Sequence, residues 1–165
     1  KNIWNAMIIK ALPFWVMGIG VLVLLRLMFP LFKVPFHADG LAMVVLLTAL
    51  ILSVTFIGIL VSIAIPNQLK ATEILMVIAT PSFILSGFTW PLSQMPTFIV
   101  QLANTIPLTH FLEALRKLLL YQATLTDILP QIKNLLILTV IFALASYILL
   151  KIKIYLHDKK VLINN

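Results

Sequence analysis

The chain contains no cysteine. That excludes disulfides, thiol nucleophiles and cysteine metal sites, and it leaves the redox compartment open. Charge is scarce too, with 10% of 165 residues charged, and the acidic share is five carboxylates beside three histidines. Acid–base or nucleophilic catalysis needs such groups positioned together, and here they are scattered, so the chain reads as no enzyme. No carboxylate pair lies inside an apolar run, as an intramembrane aspartyl protease would require. Gly18-x-Gly20 lacks the lysine and hydroxyl residue of a phosphate loop, so it reads as close helix packing, and ATP hydrolysis is left to another chain. His37-x-Asp39 stands without partner ligands and reads as solvated loop. The five glycines form no repeat or low-complexity tract.

Apolar residues are plentiful. They make up 62% of the chain, and the mean hydropathy is +1.12. A water-soluble globule of this size could not be covered by so little polar surface, so the sequence describes an integral membrane protein. Its net charge of +7 sits at the ends of apolar runs rather than in one patch, which argues against a nucleic-acid partner. The first residue is lysine, and the first apolar run is too long for a signal-peptide core and has no small-residue cleavage site, so a piece of a longer protein is expected.

Four runs are long enough to cross a bilayer, giving an all-α, polytopic membrane helical bundle in one transmembrane domain over residues 1–165. The spans are expected at about 11–32, 41–65, 74–90 and 132–150, each near the ~20 residues a 30 Å hydrocarbon core demands. Pro13 falls near the start of the first, where a missing N–H costs little. Trp90 is placed as an interfacial aromatic at the end of the third, with a kink expected at Pro81. Small residues suited to helix contacts are Gly18, Gly20, Ala49, Ser53, Gly58, Ala143 and Ala145. Arg26 is the one charge well inside a span. It either snorkels outward, pairs structurally or faces a substrate.

Between the third and fourth spans the chain is broken by Pro91, Pro96 and Pro107, each removing a backbone donor. Phe98 to Ile106 is apolar but too short to cross. Residues 95–121 are therefore expected to be re-entrant or interfacial, and broken backbone at that depth points to transport machinery. Leu108, Phe111, Leu112, Leu115 and Leu119 share one helical face, with Thr109, Glu113, Arg116 and Lys117 opposite, so this helix should lie along a boundary. Glu113 has Arg116 at i+3 and Lys117 at i+4, a spacing that pairs them; the charged face is either solvated or lines the mouth of a path. His110 has no visible partner and receives no role. If the termini share a side, that side carries Lys1, Lys10, Lys70, Lys151, Lys153, Lys159 and Lys160, against Lys33, Arg116, Lys117 and Lys133 opposite. Both termini and the loop 66–73 are then cytoplasmic, and the broken region faces outward.

S-G-F-x-x-P-x-x-x-M-P over Ser86 to Pro96, followed by I-P-L-T-H-F-L-E-A-L-R over Ile106 to Arg116, resembles ABC-2 type permeases, the membrane subunits of ATP-binding-cassette exporters. Lys10-Ala11-Leu12-Pro13 is similar to the start of that family's third helix, Phe36 to Gly40 to its short outer loop, and Gly58 to Gln68 to the end of its fourth. The multidrug-type sub-group is the nearest in pattern, and against its six spans this chain corresponds to the last four. The resemblance implies a permease subunit forming part of a path for an apolar or amphipathic substrate in the bacterial inner membrane. It implies a second permease subunit, in a homo- or heterodimer, and a separate ATPase subunit that holds the ATP and magnesium, with no cofactor bound directly by this chain. Ser86, Gly87, Pro91, Met95, Pro96, Pro107, Glu113 and Arg116 would then belong to an outer gate. Residues 2–10 and 67–73, with Lys10, Gln68, Lys70 and Glu73, would meet the ATPase. A polysaccharide or lipid-linked glycan exporter, a membrane scaffold or assembly protein, and an inactive permease fragment are the competing readings.

Overall fold

The computed structural model describes residues 3–31 and 40–163, and for residues 3–11, 14, 22, 25, 29, 30, 154 and 157–163 the backbone only. The described residues form six α-helices: α1 Ile3–Leu31, α2 Gly40–Ala64, α3 Gln68–Leu85, α4 Thr97–Ala103, α5 Pro107–Leu120 and α6 Leu129–Ile163. Short 3₁₀ turns at Leu92–Gln94 and Leu125–Ile128 precede α4 and α6. The all-α expectation holds, and Gly40–Ala64, Gln68–Leu85 and Leu129–Lys153 are long and apolar enough to cross a membrane. In α1 the described apolar stretch is Trp15–Met28. His37, Asp39, Lys33 and the rest of the loop expected on the outer side lie outside the described residues.

The exposed area, 11802 Å², compares with about 8,200 Å² for a water-soluble globule of this mass. Leu, Ile, Val and Met side chains on α1, α3 and α6 supply much of the excess, as a lipid-facing surface requires.

Helix boundaries moved where charge had been read as loop. The third span, expected at 74–90, is α3 over Gln68–Leu85, so residues 68–73 are its first turns rather than a connection. Asn67 starts it as an N-cap, its side chain accepting from the Leu69 N–H at 3.0 Å. The helix runs through Pro81 and stops at Ser86 and Gly87, five residues before Trp90 would have ended it. The fourth span, expected at 132–150, is the middle of a 35-residue helix that outlasts the apolar run at both ends. Pro13 sits well inside α1, which begins at Ile3, so it is an interior proline rather than a starting one.

The core lies where α2, α5 and α6 meet. Ala42, Met43, Leu46 and Ala49 from α2 pack with Ala114 and Leu118 from α5, with Ile128 of the turn before α6, and with Ile132 and Leu135 at the start of α6. Further along, Ser53 Oγ donates to the Leu135 carbonyl at 3.0 Å and lies 2.5 Å from Thr139 Oγ1, which itself donates to Leu135 at 2.8 Å. Ser146 Oγ reaches the Phe56 carbonyl at 3.4 Å, and Lys153 Nζ donates to the Ile63 carbonyl. Thr139, Ser146 and Lys153 are seven residues apart, so they recur on one face of α6 at the coiled-coil interval.

The direction of these pairs fixes topology. Residue numbers rise together along α2 and α6, so the two helices run parallel. A chain that leaves α2 at one end and begins α6 at the other has to return between them, and α3, about 27 Å long, is the element that does so. Residues 86–128 therefore sit at the end of the bundle where α2 and α6 begin.

Of the small residues expected at helix contacts, Gly18, Ala49 and Ser53 are buried, whereas Gly20 and Gly58 have open space where a Cβ would go. Gly18 is the contact glycine: a Cβ there would lie 2.7 Å from Ile51 Cδ1 and 3.1 Å from Leu47 Cδ2.

Candidate functional site: a helical hairpin wedged into the bundle

Proline sets the register of the broken segment. Pro91 (φ −59°) precedes the first 3₁₀ turn, Pro96 (φ −57°) is the N-cap of α4, and Pro107 is the first residue of α5. At each place the fixed φ suits a helix start and the missing N–H would have had no intrahelical partner. The three prolines thus each begin the helix or turn that follows. Met95 closes the 3₁₀ turn, its N–H bonded to the Leu92 carbonyl at 3.1 Å.

On α5, His110 is next to Asn134 of α6 and Glu113 is next to Gln131. Numbers rise on one helix as they fall on the other, so α5 is antiparallel to α6. The α4–α5 turn, Asn104 to Ile106, is therefore the deep end of the hairpin. It lies at the level of Asn134, about 8 Å inward from the first residue of α6 at 1.5 Å per residue.

The face of α5 that enters the bundle differs from the expectation. Pro107, Thr109, His110, Ala114 and Leu118 are buried, while the leucine stripe with Phe111, Leu115 and Leu119 is half-buried at the flank of the core. Sequence periodicity placed Thr109 with Glu113, Arg116 and Lys117, on the side opposite the leucines. Its burial follows from α5 being covered by α2 on one flank and α6 on another, which leaves little boundary for an amphipathic helix to lie along.

A polar cluster occupies that contact. His110 Nε2 donates to the Asn104 carbonyl at 2.9 Å, which closes the turn and leaves Nδ1 as the acceptor facing Asn134 Nδ2 at 3.5 Å. Gln131 Nε2 donates to Glu113 Oε1 at 2.8 Å, and Lys117 Nζ lies 3.2 Å from the same oxygen. Thr109 Oγ1 and Gln131 Oε1 are buried without a protein partner. Such atoms are few in native proteins and mark places where water or a ligand group can enter. Sequence reasoning gave no role to Asn104, Gln131 or Asn134, and it placed Thr109 on the charged face rather than in the core. The signal was faint: polar residues at i and i+3 on the first turns of an otherwise apolar helix.

The residues expected at an outer gate fall into two groups. Ser86, Gly87 and Arg116 come together. Ser86 is the C-cap of α3, its Oγ donating to the Phe83 carbonyl at 2.6 Å. Gly87 follows at φ +79°, the left-handed turn that ends many helices, and a Cβ there would meet Leu92 Cγ at 2.9 Å. Arg116 Nη2 donates to the Gly87 carbonyl at 3.0 Å. Of the two pairings expected for Glu113, the i, i+4 pair with Lys117 forms, whereas Arg116 at i+3 is turned to the Gly87 carbonyl instead. Glu113 joins α5 to α6, whereas Pro91, Met95, Pro96 and Pro107 shape the turns without a charged contact.

At the opposite end, Gln68, Lys70 and Glu73 are exposed on the first turns of α3. Lys10 belongs to α1, and its side chain lies outside the description. Arg26 is on the exposed side of α1 and is not without a partner. Asp127 sits in the turn before α6 and accepts from the Thr124 N–H and hydroxyl, both at 2.8 Å, while Thr124 in turn caps the N–H of Asp127's own turn. Those hydrogen bonds, backbone first, hold its carboxyl below the ordinary carboxylate range. Among the described residues no group of three or more His, Asp or Glu is placed to hold a metal ion.

Long apolar helices with a hairpin of broken helix between them define a polytopic helical membrane protein. The sequence model of the family described as "ABC-2 type transporter" matches residues 2–120, and the chain belongs to that family. The match ends at Leu120, the last residue of α5, so it includes the whole hairpin. Among curated proteins, the chain is similar to the "Probable multidrug ABC transporter permease YbhS" of Escherichia coli strain K12, 27% identical over 142 residues. That alignment covers 85% of this chain and 36% of the relative, and the same figures hold for the protein of that name in Escherichia coli O157:H7. The chain therefore spans about a third of the length of these relatives. No solved structure matches.

Proposed function

We propose that the chain is membrane-spanning permease structure from an ATP-binding-cassette exporter, forming part of the translocation path for an apolar or amphipathic substrate. Drug-like and lipid-like molecules are the substrate classes that suit its Leu-, Ile- and Val-rich surfaces. The driving force comes from a separate ATPase subunit, which carries the ATP and magnesium, and a second permease subunit completes the path. The setting is the bacterial inner membrane with both termini on the cytoplasmic side, in keeping with the lysine-rich ends. Ser86, Gly87, Pro91, Met95, Pro96, Pro107, Glu113 and Arg116 belong to the outer gate, and Lys10, Gln68, Lys70 and Glu73 to the ATPase-facing end.

The observation that carries this reading is the family match across the wedged hairpin. A simple anchor needs neither a hairpin dipping between α2 and α6 nor buried polar atoms at its deep end, since each such atom costs free energy in hydrocarbon. The experiment is ATP-dependent uptake of lipophilic fluorescent cations into inside-out vesicles from cells expressing the full permease, with the purified complex checked for a cassette ATPase. Uptake that disappears when the ATPase is inactivated supports the proposal. A stably inserted protein with no ATPase partner and no ATP-dependent uptake would make it a scaffold instead.

A further inference from the structure

α3 is a rod with little holding it sideways. No residue of α3 is buried, although it is flanked by α2, α4 and α5. Its two ends have different surroundings. The first turns present Gln68, Lys70 and Glu73 to the exterior, whereas the Gly87 carbonyl, two residues past the helix end, accepts from Arg116 of the hairpin. Between those ends lie about 27 Å of helix at 1.5 Å per residue.

From this arrangement we infer that Arg116 is a strut: it couples displacement of α3 to displacement of the α4–α5 hairpin by holding the Gly87 carbonyl. This rests on the permease reading for its purpose, not for its geometry. Three observations converge on the contact. Gly87 has a left-handed φ, and a Cβ there would come within 2.9 Å of Leu92 Cγ, so both the backbone conformation and the space at this turn are suited to glycine. That carbonyl lies at the C-terminal end of α3, where the helix dipole is negative and a guanidinium is favoured. Arg116 has also forgone the carboxylate available one turn away on its own helix, leaving Glu113 to Lys117 and Gln131.

The hairpin is then clasped on two sides by different chemistry. Towards α3 it is held by one charge-assisted hydrogen bond to a backbone oxygen. Towards α6 it is held by Glu113 with Gln131 and by His110 with Asn134. A push on the first turns of α3 is delivered to Gly87, because an α-helix transmits axial and lateral displacement better than the loop that follows it. The hairpin moves with it only while Arg116 bridges the two. Arg116 is a positioning residue in this scheme and need not touch substrate.

The test uses the full permease and two readouts, so that this inference and the permease reading can fail separately. In the purified protein, hydrogen exchange is followed across residues 82–96 and 105–121 in wild type, Arg116→Gln, Arg116→Lys, Gly87→Ala and the Gly87→Ala/Arg116→Gln double variant. Arg116→Gln is expected to raise exchange of both segments together by about tenfold, the loss of one charge-assisted bond. Arg116→Lys should recover part of that protection, and the double variant should exchange no faster than the faster single one. In the reconstituted complex the same variants should keep ATP hydrolysis while ATP-dependent uptake falls by a similar factor. Exchange that rises in the α5 segment alone, or additive effects in the double variant, would overturn the strut. A wild-type complex with no ATP-dependent uptake would overturn the permease reading, and the exchange data would still decide whether α3 and the hairpin are coupled.

Discussion

Ser53 offers a test whose sign, not merely its size, depends on the packing of α2 against α6. Its side chain is completely buried, with Leu135 and Thr139 of α6 within hydrogen-bonding distance. Three contacts share two hydroxyl hydrogens there, so Ser53→Ala leaves Thr139 still bonded to the Leu135 carbonyl and creates no orphan. Interhelical hydrogen bonds inside membranes are worth about 0.6 kcal/mol on average and up to about 1.7 kcal/mol. Ser53→Ala should therefore cost about 1 kcal/mol. Ser53→Leu separates the two possibilities. On a lipid-facing surface leucine is favourable, by about 0.5 kcal/mol on the insertion scale. In the closed seam the added carbons meet Leu135, itself fully buried, and overpacking costs about 1 to 3 kcal/mol. Unfolding titrations in mixed detergent micelles should rank wild type above Ser53→Ala and Ser53→Ala above Ser53→Leu. A leucine variant as stable as wild type would refute the parallel α2–α6 seam.

Gly18→Leu should weaken the contact of α1 with α2 by about 1 to 3 kcal/mol through Ile51 and Leu47, while Gly20→Leu, which points into open space, should be neutral in the same titration. Gly87→Ala should cost about 1 to 2 kcal/mol from the left-handed φ alone, with crowding against Leu92 added, and thermal unfolding will show whether it does. Asp127 has a depressed carboxyl pKa from its bonds to Thr124. Its contribution to the turn before α6 is therefore present above the ordinary aspartate value of about 3.9 and is lost as pH falls through the lower folded value. The protection of the Thr124 amide, measured against its intrinsic exchange rate at each pH, should fall over that acidic range in wild type, and Asp127→Asn should remove that fall.

Much of the bundle was legible because apolar length is itself a structural constraint in a bilayer. The second span was placed within one residue at each end, since 25 uncharged residues closed by Pro66 leave few alternatives. The third was displaced because Lys70 and Glu73 were read as loop, although an N-cap at Asn67 can start a helix regardless of hydropathy. For the same reason α6 continues beyond Lys151: helix propensity does not stop where the apolar run does. The hairpin was visible in its prolines, but its depth and the face it buries were not. Those depend on His110 meeting Asn134 and Glu113 meeting Gln131 across helices, pairings that no local spacing encodes. Arg116 shows the same limit, since its nearest sequence partner was Glu113 and its actual one is a backbone carbonyl 29 residues away.

Cysteine accessibility addresses the account most directly, because the chain has no thiol of its own to remove. Ser93→Cys lies in the segment before the hairpin and Gln68→Cys at the start of α3, both exposed and at opposite ends of that helix. In intact cells a membrane-impermeant maleimide should label Ser93→Cys at once and Gln68→Cys only after permeabilisation. Equal labelling of both from the outside would mean that α3 does not cross, and the proposal of an outer gate at the hairpin would fall.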